Sequence, residues 1–162
     1  MSHDPEIREF LLKHLNAIQA NDIETYHATT AEDLTLYEWW VTPHRLDGLP
    51  FHDFMMENNE RRGTAFGVEG LEIDRFDKEQ VVTRYDLANL HIQRYGDAAI
   101  ASYTLLSSSG DSRGVQVAAH NESRVMVRLD GAWKVVHVHK SPAWPAPHIQ
   151  EAKTEGPDTE GR

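Results

Sequence analysis

The chain has no cysteine among its 162 residues, which excludes disulfides, thiol nucleophiles and thiolate metal sites. It also lacks any apolar run approaching the roughly 18 residues of a membrane span, and its first residues lack the basic-then-apolar pattern of a secretory leader. A cytoplasmic location is therefore the expectation. Basic charge is scarce: 16 Lys and Arg stand against 26 Asp and Glu, a formal net charge of −10. Nucleic acids and anionic membranes are bound by basic stripes that displace counterions, so neither is an expected partner.

What remains is the composition of a folded globule, 40% apolar with four tryptophans, and a length that fits one domain with a real core. That domain is expected over residues 1–150, followed by a charged, disordered acidic tail over 151–162. Asp4 caps a helix opening at Pro5, and Ile7, Phe10, Leu11, His14, Leu15 and Ile18 form its apolar stripe. Asp22 caps a short second helix over Ile23 to Thr29, and a third begins at Leu49-Pro50. Residues 59–70 read as a loop. The strand Leu34 to Trp40 lies among the helices, and further strands follow: Leu71–Arg75 with Val81–Tyr85 as a hairpin, Leu87–Arg94, Ala98–Ser107, Val115–Leu129 and Ala132–Ser141, with a polar loop over Ser107–Gly114. Helices first and a strand meander afterwards predict an α+β domain, with N-terminal helices on one face of a curved antiparallel sheet enclosing a conical pocket.

The strongest local signal is Asp130-Gly131, a two-residue hairpin turn between apolar-alternating strands. With straight alternation, Arg128 faces Trp133, Met126 faces Val135, Arg124 faces His137 and Glu122 faces His139, all eight on one side of the sheet. The other side then carries Ser123, Val125, Val127 and Leu129 against Lys134, Val136 and Val138. Such an aliphatic outer surface calls for a second subunit, so Val125, Val127, Val136 and Val138 are the interface candidates.

The same stretch, Glu122-Ser123-Arg124-Val125, then Arg128-Leu129-Asp130-Gly131-Ala132-Trp133, then Val136-His137-Val138-His139-Lys140-Ser141, closely resembles the association (hub) domain of calcium/calmodulin-dependent protein kinase II. Asn21-Asp22-Ile23-Glu24-Thr25-Tyr26 and Asp47-Gly48-Leu49-Pro50-Phe51-His52 resemble it in order and spacing, and the likeness runs over about residues 5–148 apart from extra residues around 60–85. The resemblance implies a nuclear transport factor 2-like, or SnoaL-like, cone and homo-oligomerisation, at least to a dimer. It also aligns Arg124 with the family's pocket arginine, and His137 and His139 with its paired histidines. A further family arginine, near the position of Thr104, is missing here. No kinase lobe is expected, since the glycine-rich loop, His-Arg-Asp and Asp-Phe-Gly are all absent, and the resemblance implies a free-standing association module.

The pocket candidates are Arg124, His137, His139, Glu122, Tyr37, Trp40 and His91. Arg124 in a dry concavity would bind a small anion bidentately; alternatively, Glu122 neutralises it in a purely internal network. His137-x-His139 with His91 or Glu122 has metal-ligand chemistry, but Arg124 alongside repels a cation, so neither metal nor cofactor is expected. The alternative function is a small isomerase, hydratase or cyclase using His137, His139, Glu122, Tyr37, Glu38 or His91 as acid and base, and its mark would be an unpaired carboxylate facing the pocket. Phe51 and Phe54 read as core, Trp39 or Trp40 as pocket rim, and His52 as a helix-surface or interfacial residue.

Overall fold

Asp4 Oδ1 accepts a hydrogen bond from the Ile7 amide at 3.1 Å, and Pro5 starts helix α1 (Pro5–Gln19). In this computed structural model, which describes residues 3–63, 66, 76 and 80–147, the apolar stripe faces inward as expected, with Ile7, Leu11, His14, Leu15 and Ile18 buried. Asp22 caps α2 (Ile23–Thr29) through the Thr25 amide. Helix α3 (Pro50–Arg62) is longer than expected: Asn59 to Arg62 belong to it, and it stops where Gly63 takes a left-handed conformation at φ 65. Glu and Arg are good helix formers, so the loop reading at 59–62 gives way to the glycine stop one residue later. The hairpin strand Leu71–Arg75 and the tail 151–162 lie outside the described residues. Among the described residues, no helix is long and apolar enough to cross a membrane.

Strands β1 (Thr30–Glu38), β2 (Leu46–Asp47), β3 (Val82–Tyr95), β4 (Ala98–Asp111), β5 (Gly114–Leu129) and β6 (Ala132–Pro142) form one sheet in the order β2-β1-β6-β5-β4-β3. All neighbours are antiparallel except β1 and β6, which run parallel. Strand β3 joins Val82–Tyr85 and Leu87–Arg94 into one element, with Asn89 at φ 54 marking a bulge between Ala88 and His91. The expected polar loop over Ser107–Gly114 is strand except for Ser112 and Arg113. Its serines alternate: Ser107 and Ser109 are fully buried, and Ser109 pairs with the Thr83 hydroxyl at 2.8 Å. Only glycine fits at Gly110, where a Cβ would stand 2.3 Å from the Gly114 carbonyl oxygen.

The β5–β6 turn is as expected, with Asp130 and Gly131 both at positive φ, 51 and 81. Leu129 pairs with Ala132, Arg128 with Trp133 and Met126 with Val135. The register then slips: Val125 pairs with His137, Arg124 with Val138, Ser123 with His139 and Glu122 with Lys140. Val136 is the extra residue of a bulge. The reason lies in what faces the core. Val135 and Val138, three apart, are both buried, at 0% and 1% exposure. Burying Val138 is worth about 1.5–3 kcal/mol, whereas burying His137 and His139 without partners would cost about 1–3 kcal/mol each. The bulge therefore puts the valine in and the histidines out.

The concave side of the sheet packs Leu34, Leu36, Tyr103, Met126, Val135 and Val138 against Ile7, Leu11 and Leu15 of α1. A second cluster under the helices joins Ile18, Tyr26, Met56 and Phe66. Phe51 is half-buried against the core, but Phe54 is 60% exposed on α3, so only one of the two phenylalanines is a core residue. His52 faces inward instead and is buried.

Candidate functional site

Alternation along the inner face brings four charges into the cone. Glu122 and Arg124 come from β5, Glu38 from the end of β1, and Lys140 from β6 beyond the bulge. All four are buried. Arg124 Nη1 donates to the Glu122 carboxylate and to the Tyr103 hydroxyl, and Tyr103 in turn donates to Glu122 at 2.7 Å. Lys140 Nζ donates to Glu38 at 2.5 Å. Two cations against two carboxylates leave the cone neutral, as buried charge requires.

These groups line a cavity with Leu15 and Ile18 of α1, and with Trp40, His120 and Phe66. Its free volume is about 30 Å3, room for roughly one or two waters. The Trp39 ring packs on His120, one of the lining residues, at 5.6 Å and against Trp144 at 6.1 Å. Burial opposes the charge on Arg124, but the Tyr103 oxygen and the Glu122 carboxylate hold its pKa above the ordinary guanidinium value. Burial also pushes Glu122 upward, and Arg124 and then Lys140 outweigh it, leaving the carboxyl below its usual range. Burial drives the Tyr103 hydroxyl well above the ordinary phenol value. Within the wall, Arg124 Nε is buried without a hydrogen-bond partner among the described residues.

Behind this cavity stands a second polar group. Tyr26 and His52 Nδ1 are hydrogen-bonded, and His14 Nδ1 meets Thr29 Oγ1 at 2.9 Å. Both histidines are held well below the ordinary imidazole pKa, first by burial and then by the positive charges of Arg124 and Lys140. They are neutral hydrogen-bonding groups at pH 7.

Of the seven residues expected in one pocket, the structure brings three together: Arg124, Glu122 and Trp40. His137, His139, Tyr37 and His91 lie on the opposite, outer side of the sheet. His137 Nδ1 is hydrogen-bonded to Thr35 Oγ1 at 2.7 Å, and Tyr37 packs its ring on His139 at 5.1 Å. His91 and His139 border a separate shallow depression with Ser102, Asn121 and Ser123. The bulge at Val136 is the cause for the two β6 histidines, and parallel pairing with β6 carries Tyr37 to the same side. The same slip moves Val138 from the expected interface into the core, while Val125, Val127 and Val136 stay half-buried on the outer face. Among the described residues no cluster of three or more His, Asp or Glu is placed to hold a metal ion.

Lys140, Tyr103 and His120 belong to the site and were not among the expected residues. Tyr103 alternates with Ala99, Ala101 and Leu105 along one buried face, so its inward direction was readable from the sequence. Lys140 was not, because its side depends on the bulge. The mark of the enzyme alternative, an unpaired pocket carboxylate, is not met by Glu38 or Glu122, each of which carries a cation partner.

Known proteins give this geometry a family. Calcium/calmodulin-dependent protein kinase type II of Caenorhabditis elegans is 30% identical over 128 residues, 78% of this chain but 15% of the kinase, and that of Caenorhabditis briggsae is 30% identical over 128 residues, 21% of its length. The chain thus spans only a small part of these relatives. Among solved structures, the association domain of the C. elegans kinase superposes with a TM-score of 0.65 and 28% identity, covering 84% of this chain and 92% of that one. A nuclear transport factor 2-like protein of unknown function from Pseudomonas putida superposes with a TM-score of 0.62 at 21% identity, over 88% and 87% of the two chains, a likeness of fold. The family described as the calcium/calmodulin dependent protein kinase II association domain matches residues 3–144. The chain belongs to that association domain family.

Proposed function

We propose that this domain is a cytoplasmic self-association module, at least dimeric, that packs through the outer face of its sheet. The observation that carries this reading is the set of half-buried aliphatic residues on the solvent side, Ile100, Val125, Val127 and Val136. No layer of this chain among the described residues covers them, and sheets leave such surfaces open chiefly where another subunit closes them. Membership of the association domain family supports the same reading. Light scattering at micromolar concentration tests it: a mass of at least two chains is expected, and Val125→Glu with Val127→Glu should reduce it to one.

A second role is favoured by one atom. Arg124 Nε, buried and unpartnered among the described residues, is a donor that a small carboxylate could take in the cone. The cavity admits only the charged head of such a ligand, and Glu122 already occupies Nη1. Thermal-shift titration with acetate and longer carboxylates should stabilise the native protein and leave Arg124→Gln unmoved; equal responses would leave Arg124 a structural residue only.

A further inference from the structure

The two ion pairs of the cone differ in chemistry. Arg124 and Glu122 share their contact with the Tyr103 hydroxyl, and a guanidinium stays protonated and does not act as a nucleophile. Lys140 and Glu38 place an amine beside a carboxylate instead, with Nζ 2.5 Å from Glu38 Oε2. Among the described residues Lys140 is the one buried lysine; Lys13 is exposed and Lys134 half-buried. Its amine lies 5.7 Å over the Phe66 ring, and both residues line the cavity with Glu38. Lys140 keeps 8% exposure, so the amine is not sealed from solvent. A counter-ion for Glu38 needs only positive charge, which an arginine would also supply. A lysine amine in a pocket can in addition form a Schiff base with a carbonyl compound.

We propose that Lys140 captures a small uncharged aldehyde as an imine, with Glu38 carrying the proton. Nζ first passes a proton to Glu38 Oε2, and the free amine attacks the aldehyde carbon to form the C–N bond. A proton moves from nitrogen to the carbonyl oxygen, giving a neutral carbinolamine. Glu38 then returns its proton to that hydroxyl, the C–O bond breaks and water leaves. The product is a protonated imine beside an ionised Glu38. One ammonium and one aldehyde have become one iminium and one water, with no oxidant, reductant or other co-reactant.

Charge and size both select this class of ligand. Before and after capture Lys140 carries one positive charge, so the cone keeps two cations against two carboxylates, as buried charge requires. A free volume of about 30 Å3 admits an aldehyde of one or two carbons and shuts out an aromatic one. The capture needs no ligand on Arg124 and no second subunit.

Reductive trapping tests it on the full chain. The native protein is treated with acetaldehyde and sodium cyanoborohydride, which fixes an imine as a secondary amine, and peptide mass mapping follows each lysine with time. Lys13, exposed, is the internal reference. Lys140 should be ethylated about tenfold faster than Lys13, the advantage a positioned acid–base group confers. With benzaldehyde the order should reverse, Lys13 being labelled and Lys140 spared. Glu38→Gln, with its fold checked by circular dichroism, should bring Lys140 down to the rate of Lys13 or below. Lys140 slower than Lys13 towards acetaldehyde in the native chain overturns the proposal, as does equal labelling of Lys140 by the two aldehydes. Both comparisons are made on the native protein, so they decide the matter even where Glu38→Gln does not fold.

Discussion

Two faces of the same strands have been given opposite chemistry. On the inner face of β5 and β6, Glu122, Arg124, Val138 and Lys140 are buried, and every charge has a counter-charge. On the outer face, Ser123, Val125, His137 and His139 lie half-buried or exposed, with hydroxyl and aromatic neighbours in place of ion pairs. Three consecutive residues hold the whole contrast: Val138 in the core, His139 outside, Lys140 in the cavity wall. A single extra residue, Val136, decides which side each takes. The inner face therefore governs folding, and the outer face is the one we propose for association.

Substitutions on the inner face should have the largest effects. Arg124→Met leaves Glu122 buried without its cation and should cost about 3–5 kcal/mol of folding stability, read from urea unfolding. Lys140→Met, which strands Glu38, should follow closely. If the pair matters only through charge balance, Arg124→Met with Glu122→Gln should recover much of the loss, whereas an additive loss would show that each group has other work. On the outer face, Val125→Glu should leave unfolding of the single chain within about 1 kcal/mol and weaken self-association at least tenfold, about 1.4 kcal/mol, by sedimentation.

Acid should act through the inner side as well. His14 and His52 titrate below the ordinary value of 6.5 in the folded protein, so the unfolded chain binds more protons just below that pH. Stability is then complete above 6.5 and falls as the pH drops beneath it. Glu122, depressed in the fold, adds a loss only as the pH falls below 4.5. Urea midpoints at pH 7.5 and 5.5 should differ in the native protein and differ less in His52→Gln. The smallest change should come from His139→Ala, within about 0.5 kcal/mol of native folding stability, one position from the costly Lys140.

Much of this was readable from residues alone. Caps at Asp4 and Asp22, the stripe on α1 and the Asp130-Gly131 turn each rest on local chemistry, and each stands in the fold. The hairpin register near the turn was equally local. Beyond Val135 it was not, because the bulge answers to Val138 seeking the core and to β1 pairing alongside β6, a contact more than 90 residues away in sequence. That one slip sent His137, His139 and Tyr37 to the outer face and Val138 inside. Ser107 and Ser109 misled for another reason: a serine-rich stretch looks like loop until its pairing is known, which buries both side chains and gives Ser109 the cross-strand Thr83 hydroxyl.

The division between a folding face and an associating face is tested most directly by the mass of the native chain in solution. Light scattering at micromolar concentration should give at least twice the 18.5 kDa of one chain, falling to one chain in Val125→Glu with Val127→Glu while circular dichroism and the urea midpoint hold steady. A native protein that runs as a stable single chain would contradict it.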